Sequence, residues 1–203
     1  MRLTGRALNA AIARAPWLWP LLRAPTRRFF DDAASGWDER TGAGSPEHLA
    51  ALAAAAIRIP EQPERVLDIG TGTGEAALFL AREYPRAGVR GVDISEEMIR
   101  AARAKVGLDP EGRIAFKRAD AAALPYADDS FDLVAQLNMP PFFAAIARVL
   151  RPGGHVIIAS SWGAATPFFT PDAVLERGFR RHGIVSVAAA AIDGGTYWVG
   201  RQS

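Results

Sequence analysis

Past Pro60 the chain alternates short apolar runs with longer stretches of helical period. Apolar runs at 66–69, 89–93, 113–117, 131–137 and 155–160 read as strands, and the stretches 75–84, 96–106, 140–150 and 171–182 read as helices. Strand and helix in turn predict parallel βαβ units, an α/β fold with helices on both faces of one sheet. The tail departs from that rhythm. Ile184–Ala190 and Thr196–Gly200 flank Asp193-Gly194-Gly195, and Asp-Gly is a hairpin turn signal.

Before Pro60 the pattern is helical and interrupted. Leu3, Ala7, Leu8, Ala11, Ile12 and Ala15 share one helical face, with arginines elsewhere. Pro16 and Pro20 bracket Trp17-Leu18-Trp19, and Pro25 is expected to break the helix again. Phe29-Phe30 and Trp37-Asp38 follow, then a turn rich in Gly and Ser at Thr41–Ser45. Ser45 followed by Pro46 predicts an N-cap with proline in the first helical position, opening a helix through Ile57. The expected division is a helical arm and lid over 1–60 and an α/β unit over 61–203, together one compact body.

Composition narrows the class. A chain of 203 residues suits one domain with a sizeable core. The absence of cysteine excludes disulfides, thiolate catalysis and cysteine metal sites, and His48, His155 and His182 form no metal-ligand spacing, so no metal is expected. Residues 1–30 carry six arginines and no acid, which leaves 18 basic and 22 acidic residues in the rest. The basic character therefore belongs to the arm, and no nucleic-acid partner is expected. No apolar run approaches a membrane span and no signal-peptide core is present, so the expected location is cytoplasmic. Peripheral contact of residues 1–30 with an anionic membrane is an alternative that the prolines disfavour, because they interrupt an amphipathic helix.

The chemistry concentrates in Val66-Leu67-Asp68-Ile69-Gly70-Thr71-Gly72-Thr73-Gly74-Glu75, a strand, a glycine-rich turn and a helix start. Such a junction lets backbone approach a ligand at a helix N-terminus. A dinucleotide fingerprint needs glycine or alanine where Glu75 stands, and Asp68 adds a second acid near the turn. Two carboxylates would repel a pyrophosphate. A ligand with no phosphate and a cationic end fits better.

The segment Val66–Gly74 resembles motif I of the class I S-adenosylmethionine (SAM)-dependent methyltransferases, of the small-molecule, methyltransferase-domain 11/25-like type. Gly91-Val92-Asp93-Ile94-Ser95 with Met98 resembles their second motif, and Arg118-Ala119-Asp120-Ala121 with Leu124-Pro125 their third. Ser130–Val134 and Arg148–Gly154 are similar to the signatures at strand four and before strand five. The resemblance runs from about Phe29 to the C-terminus. It implies a doubly wound, Rossmann-like seven-stranded sheet ordered 3-2-1-4-5-7-6, with only strand seven antiparallel. It also implies SAM as cofactor and transfer of its methyl group to a small-molecule acceptor. The cofactor-binding residues so implied are Asp68, Gly70, Thr71, Gly72, Thr73, Gly74, Asp93 at the ribose hydroxyls, Ile94, Met98, Asp120 at the adenine amino group, Ala121 and Asn138.

On the acceptor side the expected contacts are Trp37, Asn138, Phe142 and Trp162, from the arm, the 138–142 corner and the 161–170 loop. Asn138-Met139-Pro140-Pro141-Phe142 is similar to an amino-group methyltransferase signature but broken by Met139, and Asn138 could instead cap the helix that follows. No catalytic residue is assigned, and none of the histidines is expected to act as general base. Two rival classes stay open: a degenerate SAM-binding domain acting through partners, and a nicotinamide-dependent dehydrogenase, which Glu75 disfavours.

Overall fold

The computed structural model describes residues 5–109, 111–192 and 194–203, without the Arg14 side chain. Leu3 and Asp193, which figure in the expected first helix and hairpin turn, lie outside the described residues. The chain runs α1 (Gly5–Arg14), α2 (Trp19–Ala33), α3 (Trp37–Thr41), α4 (Pro46–Ala56), β1 (Arg65–Ile69), α5 (Glu75–Glu83), β2 (Gly88–Asp93), α6 (Glu96–Lys105) and β3 (Ile114–Arg118). It continues through β4 (Phe131–Leu137), α7 (Phe143–Val149), β5 (Leu150–Ser160), α8 (Asp172–Arg180), β6 (Ile184–Ile192) and β7 (Gly195–Gln202). Single 3-10 turns at Pro16–Leu18 and Gly163–Ala165 complete it.

The seven strands form one sheet in the order β3-β2-β1-β4-β5-β7-β6. The five strands β1 to β5 pair in parallel, and β7 runs antiparallel to both β5 and β6. The order reverses between β1 and β4, whose C-terminal ends open a crevice at the switch point of the doubly wound sheet. Alternate side chains of the buried strands feed two cores. On one face Leu52, Leu80, Tyr84, Val89 and Tyr197 pack with α4, α5 and α6. On the other Ile12, Trp19, Ile146, Phe179 and Trp198 pack with α1, α2, α7 and α8.

Local chemistry explains most boundaries. Ser45 and Ser95 cap α4 and α6, each accepting at 3.1 Å from the backbone N–H three residues on, His48 and Met98. Asp132 accepts from the Glu64 and Arg65 N–H groups at 2.7 and 2.6 Å and so fixes the start of β1 against β4.

Three expectations are corrected. Pro25 does not break the arm: α2 runs through it. Pro20 sits at the helix start, where no amide bond is lost, and the bond Pro25 forgoes would have gone to the carbonyl of Leu21, a residue on the solvent side. Strand five begins at Leu150, which pairs with Phe131 before the chain bulges and resumes with His155 opposite Leu133. Helix α7 starts only at Phe143, so Asn138 is not its cap.

Candidate active site

A cavity of about 390 Å³ lies at the crevice, walled by the glycine loop, the ends of β2 and β4, and the N-terminal arm. That size falls in the range of small-molecule sites. Leu8, Ile12, Trp19, Thr26, Phe30 and Trp37 close it from the arm side. From the α/β side come Gly70, Thr71, Gly72, Thr73, Asp93, Ile94, Met98 and Ala121, then Asn138, Phe142 and Trp162.

The loop is held by backbone bonds. Gly70 and Thr71 N–H donate to the Val92 carbonyl at 2.8 and 3.0 Å, and Gly74 N–H donates to the Thr71 carbonyl at 2.8 Å. Two of its glycines serve different ends. A Cβ on Gly74 would stand 2.9 Å from Ala102 Cβ and from the Phe116 ring, so this residue, at φ 91°, seats α5 against α6 and β3. A Cβ on Gly72 would meet nothing within 4 Å. At φ 53° its backbone faces open space on the cavity wall, as a ligand cradle requires.

Asp93 closes β2 beside that cradle. Its Oδ2 accepts from Gly72 N–H at 3.0 Å and its Oδ1 from Ser95 N–H at 2.9 Å. Burial pushes its pKa up, opposed by backbone bonds from Ser95, Gly72 and Ile94, with the Asp31 charge adding to the rise. Each oxygen keeps a lone pair for a hydroxyl donor.

Asp68 lies behind the loop, off the cavity wall, with 1% of its surface exposed. Neither carboxylate oxygen has a hydrogen-bond partner, nor does Thr71 Oγ1. Burial raises its pKa to about 7, with Thr71 and the Ala77 backbone opposing and the Asp93 charge adding. Glu75 lines the cavity but is paired with Lys105 at 2.7 Å. The repulsion of a pyrophosphate expected from Asp68 and Glu75 is therefore weaker than charge counting implies. Lys105 also meets Asp38 at 2.5 Å, and Asp38 accepts from the Thr73 hydroxyl at 2.5 Å, which ties α3 to the glycine loop.

Asp120, like Asp68 and Gly74, is off the wall of this cavity. Its Oδ1 accepts from Trp19 Nε1 at 2.7 Å and from Ala122 N–H at 2.9 Å. The arm indole thus takes an acceptor expected to face a ligand. Asn138 is on the wall with a positive φ of 55°. Its Nδ2 donates to Ser161 Oγ and its Oδ1 accepts from Ser161 N–H, both at 2.8 Å, and Ser161 Oγ donates to the His48 carbonyl at 2.7 Å. His48, not expected from the sequence to act as general base, is on the wall. Its Nδ1 is buried without a partner, and burial lowers its pKa against the opposing influence of the Thr41 backbone, Glu75 and Asp38. Its only sequence signal is its place three residues past the Ser45 cap. Among the described residues no group of three or more His, Asp or Glu side chains could hold a metal ion.

Comparison with known proteins agrees with the motifs. Residues 66–154 match a methyltransferase domain model, and the sheet order is the one that the motifs imply. Over residues 66–154 the chain is similar to the class I SAM-dependent methyltransferases. Its cofactor is SAM, and the site offers what that molecule needs: an open glycine cradle, an acid at the end of β2, and an apolar slot of Ile94, Met98 and Ala121. The chain is 36% identical over 144 residues to the ubiquinone/menaquinone biosynthesis C-methyltransferase of Syntrophotalea carbinolica, covering 66% of this chain and 57% of that protein. It is 39% identical over 131 residues to the methyltransferase GfsG of Streptomyces halstedii, covering 56% and 47%. The chain spans about half the length of the curated relatives it matches.

Among solved structures, the methyltransferase complexed with the Haloferax volcanii Trm112 activator superposes with a TM-score of 0.69 at 24% identity, covering 85% of this chain and 96% of that one. A SAM-dependent methyltransferase from Aquifex aeolicus gives 0.64 at 19% identity, covering 79% and 95%. These likenesses speak for the fold.

Proposed function

We propose that this protein transfers the methyl group of SAM to a small, apolar, planar acceptor. The observation that carries the reading is the pairing of Asp93 with the Gly72 cradle on one wall of a cavity whose opposite wall is aromatic. Bound SAM supplies an electrophilic methyl group on a sulfonium, so the chemistry asks the protein chiefly for alignment and exclusion of water.

In this reading Asp93 accepts the ribose hydroxyls, the Gly70–Gly74 backbone cradles the amino-acid end, and Ile94, Met98 and Ala121 pack the adenine. Asp68 lies behind the loop and makes no contact with the cofactor. Asp120 reaches the adenine edge only where the Trp19 indole shares or yields its oxygen. Phe30, Trp37, Phe142, Trp162 and Phe168 offer flat apolar contact to the acceptor, and the arm excludes water. His48, kept neutral by burial, is the wall residue suited to take a proton from a hydroxylated acceptor. The C-methyltransferase of quinone biosynthesis among the relatives favours a hydroxylated aromatic ring as acceptor.

The test is incubation with SAM and a panel of quinols, phenols and aromatic amines, following S-adenosylhomocysteine. Acceptor-dependent product from a ring compound supports the reading. Tight SAM binding with no turnover on any member would instead favour a degenerate domain acting through partners.

A further inference from the structure

Helix α2 carries two apolar faces. Trp19, Leu22, Thr26 and Phe30, at helical spacing, turn inward onto the second core and the cavity. Trp17 in the preceding turn, Leu21 and Phe29 turn the other way and are 75%, 74% and 63% exposed. Among the described residues these three belong to a set of eight exposed large apolar side chains, and no other stretch gathers three within thirteen positions. Exposed apolar residues scattered singly need no explanation, but a cluster on one helix does.

The charge on the arm up to Phe30 is of one sign, and the first exposed acid, Asp32, comes three residues past Phe29. Arg23, Arg27 and Arg28 project from the same helix, and no acid occurs between Gly5 and Phe30. Arg23 and Arg27 join Arg118 and Asp120 around a neighbouring cleft. Their carboxylates stand 4.0 Å away at Asp120 and Asp31, and that of Arg118 stands 3.6 Å away at Glu96, so none is a close pair. Arg28 makes no ion pair among the described residues. The acids of α2 begin at Asp31 and Asp32, in its last turn.

We propose that the outward face of Trp17–Phe29 docks this protein on an anionic lipid surface, with Trp17, Leu21 and Phe29 entering the headgroup boundary and Arg23, Arg27 and Arg28 meeting lipid phosphates. A tryptophan, a leucine and a phenylalanine flanked by arginines are the composition of an interfacial helix. Pro20 and Pro25 do not interrupt α2, whereas the 3-10 turn Pro16–Leu18, which carries Trp17, parts it from α1. A second copy fits this face less well, because a two-fold contact would set these arginines against themselves. Nucleic acid fits less well too, since it offers little to three exposed apolar side chains and the remainder of the chain is net acidic. The proposal does not depend on the methyl-transfer reading.

The test is cosedimentation of the full chain with phosphatidylcholine vesicles, with and without phosphatidylglycerol. Three proteins are compared: wild type, the triple variant Trp17→Ser, Leu21→Ser, Phe29→Ser, and the triple variant Arg23→Gln, Arg27→Gln, Arg28→Gln. Thermal melts establish that each is folded. Wild type is expected to partition onto the anionic vesicles and to be released by salt. The arginine variant should lose roughly a hundredfold in partition, and the apolar variant at least roughly tenfold. A folded wild type that ignores anionic vesicles overturns the proposal, as does an apolar variant that binds like wild type. Self-association abolished by the apolar variant, without vesicle binding, overturns it in favour of an interface between copies.

Discussion

Trp19 Nε1 donates to Asp120 Oδ1 at 2.7 Å, joining the start of α2 to the turn after β3 across 101 positions of sequence. The indole is 6% exposed and meets Phe142 edge-on at 5.2 Å between ring centres. One residue thereby fastens the arm, borders the cavity and engages a motif acid. Trp19→Phe keeps most of the packing and removes the donor. Urea denaturation should show a loss of about 1 kcal/mol, and a cycle with Asp120→Ala should return coupling of the same order. Strictly additive single changes would mean that the bond contributes nothing.

The two loop glycines separate packing from ligand access. Gly74→Ala drives a methyl into Ala102 and Phe116 at positive φ and should cost about 2–4 kcal/mol of stability. Gly72→Ala meets open space and should cost about 1 kcal/mol from φ alone, while weakening SAM binding in calorimetry far more than stability. Equal losses of stability in the two variants would contradict this division.

Asp68 makes stability depend on pH with a definite sign. Its folded pKa of about 7 lies above the ordinary 3.8, so between these values the folded state binds the extra proton and stability falls as pH rises. The full difference amounts to about 4 kcal/mol, reached above pH 7. Asp68→Asn should therefore gain stability over wild type at pH 8 and much less at pH 5, measured by urea denaturation at both. A difference between the two proteins that does not change with pH would refute the assignment.

His48 works in the opposite direction. Burial lowers its pKa below 6.5, so its contribution to stability is present above pH 6.5 and is lost as pH falls through the folded value. A proton NMR titration, assigned with His48→Asn, should find this imidazole titrating below 6.5. A value at or above 6.5 would remove it as the neutral proton acceptor on the wall.

Much of this was legible in the sequence, for local reasons. The apolar runs marked the strands, Ser45 and Ser95 announced their caps, and the alternating glycines marked the cradle. What the sequence hid depends on partners far along the chain. Phe29 and Phe30 are adjacent and identical in chemistry, yet one faces solvent and the other the cavity, a choice made by the packing of α2 on the sheet. Asn138 looked like a helix cap because prolines follow it, but Ser161, brought alongside by β5, takes its amide. Asp120 stood in the right motif, and only the folded arm delivers Trp19 to it. His48 stands in the first turn of a helix that the sequence predicts, and only the docking of α4 brings it beside Ser161 on the cavity wall.

The central claim is that Asp93 and the Gly72 cradle hold SAM. Calorimetric titration of the folded chain with SAM, repeated on Asp93→Ala, tests it most directly. The account predicts binding in the micromolar range by the wild type, weakened at least roughly tenfold in a variant that still melts cooperatively, as expected when charge-assisted hydrogen bonds are lost. A folded wild type that fails to bind, or a variant that binds as well as the wild type, would contradict it.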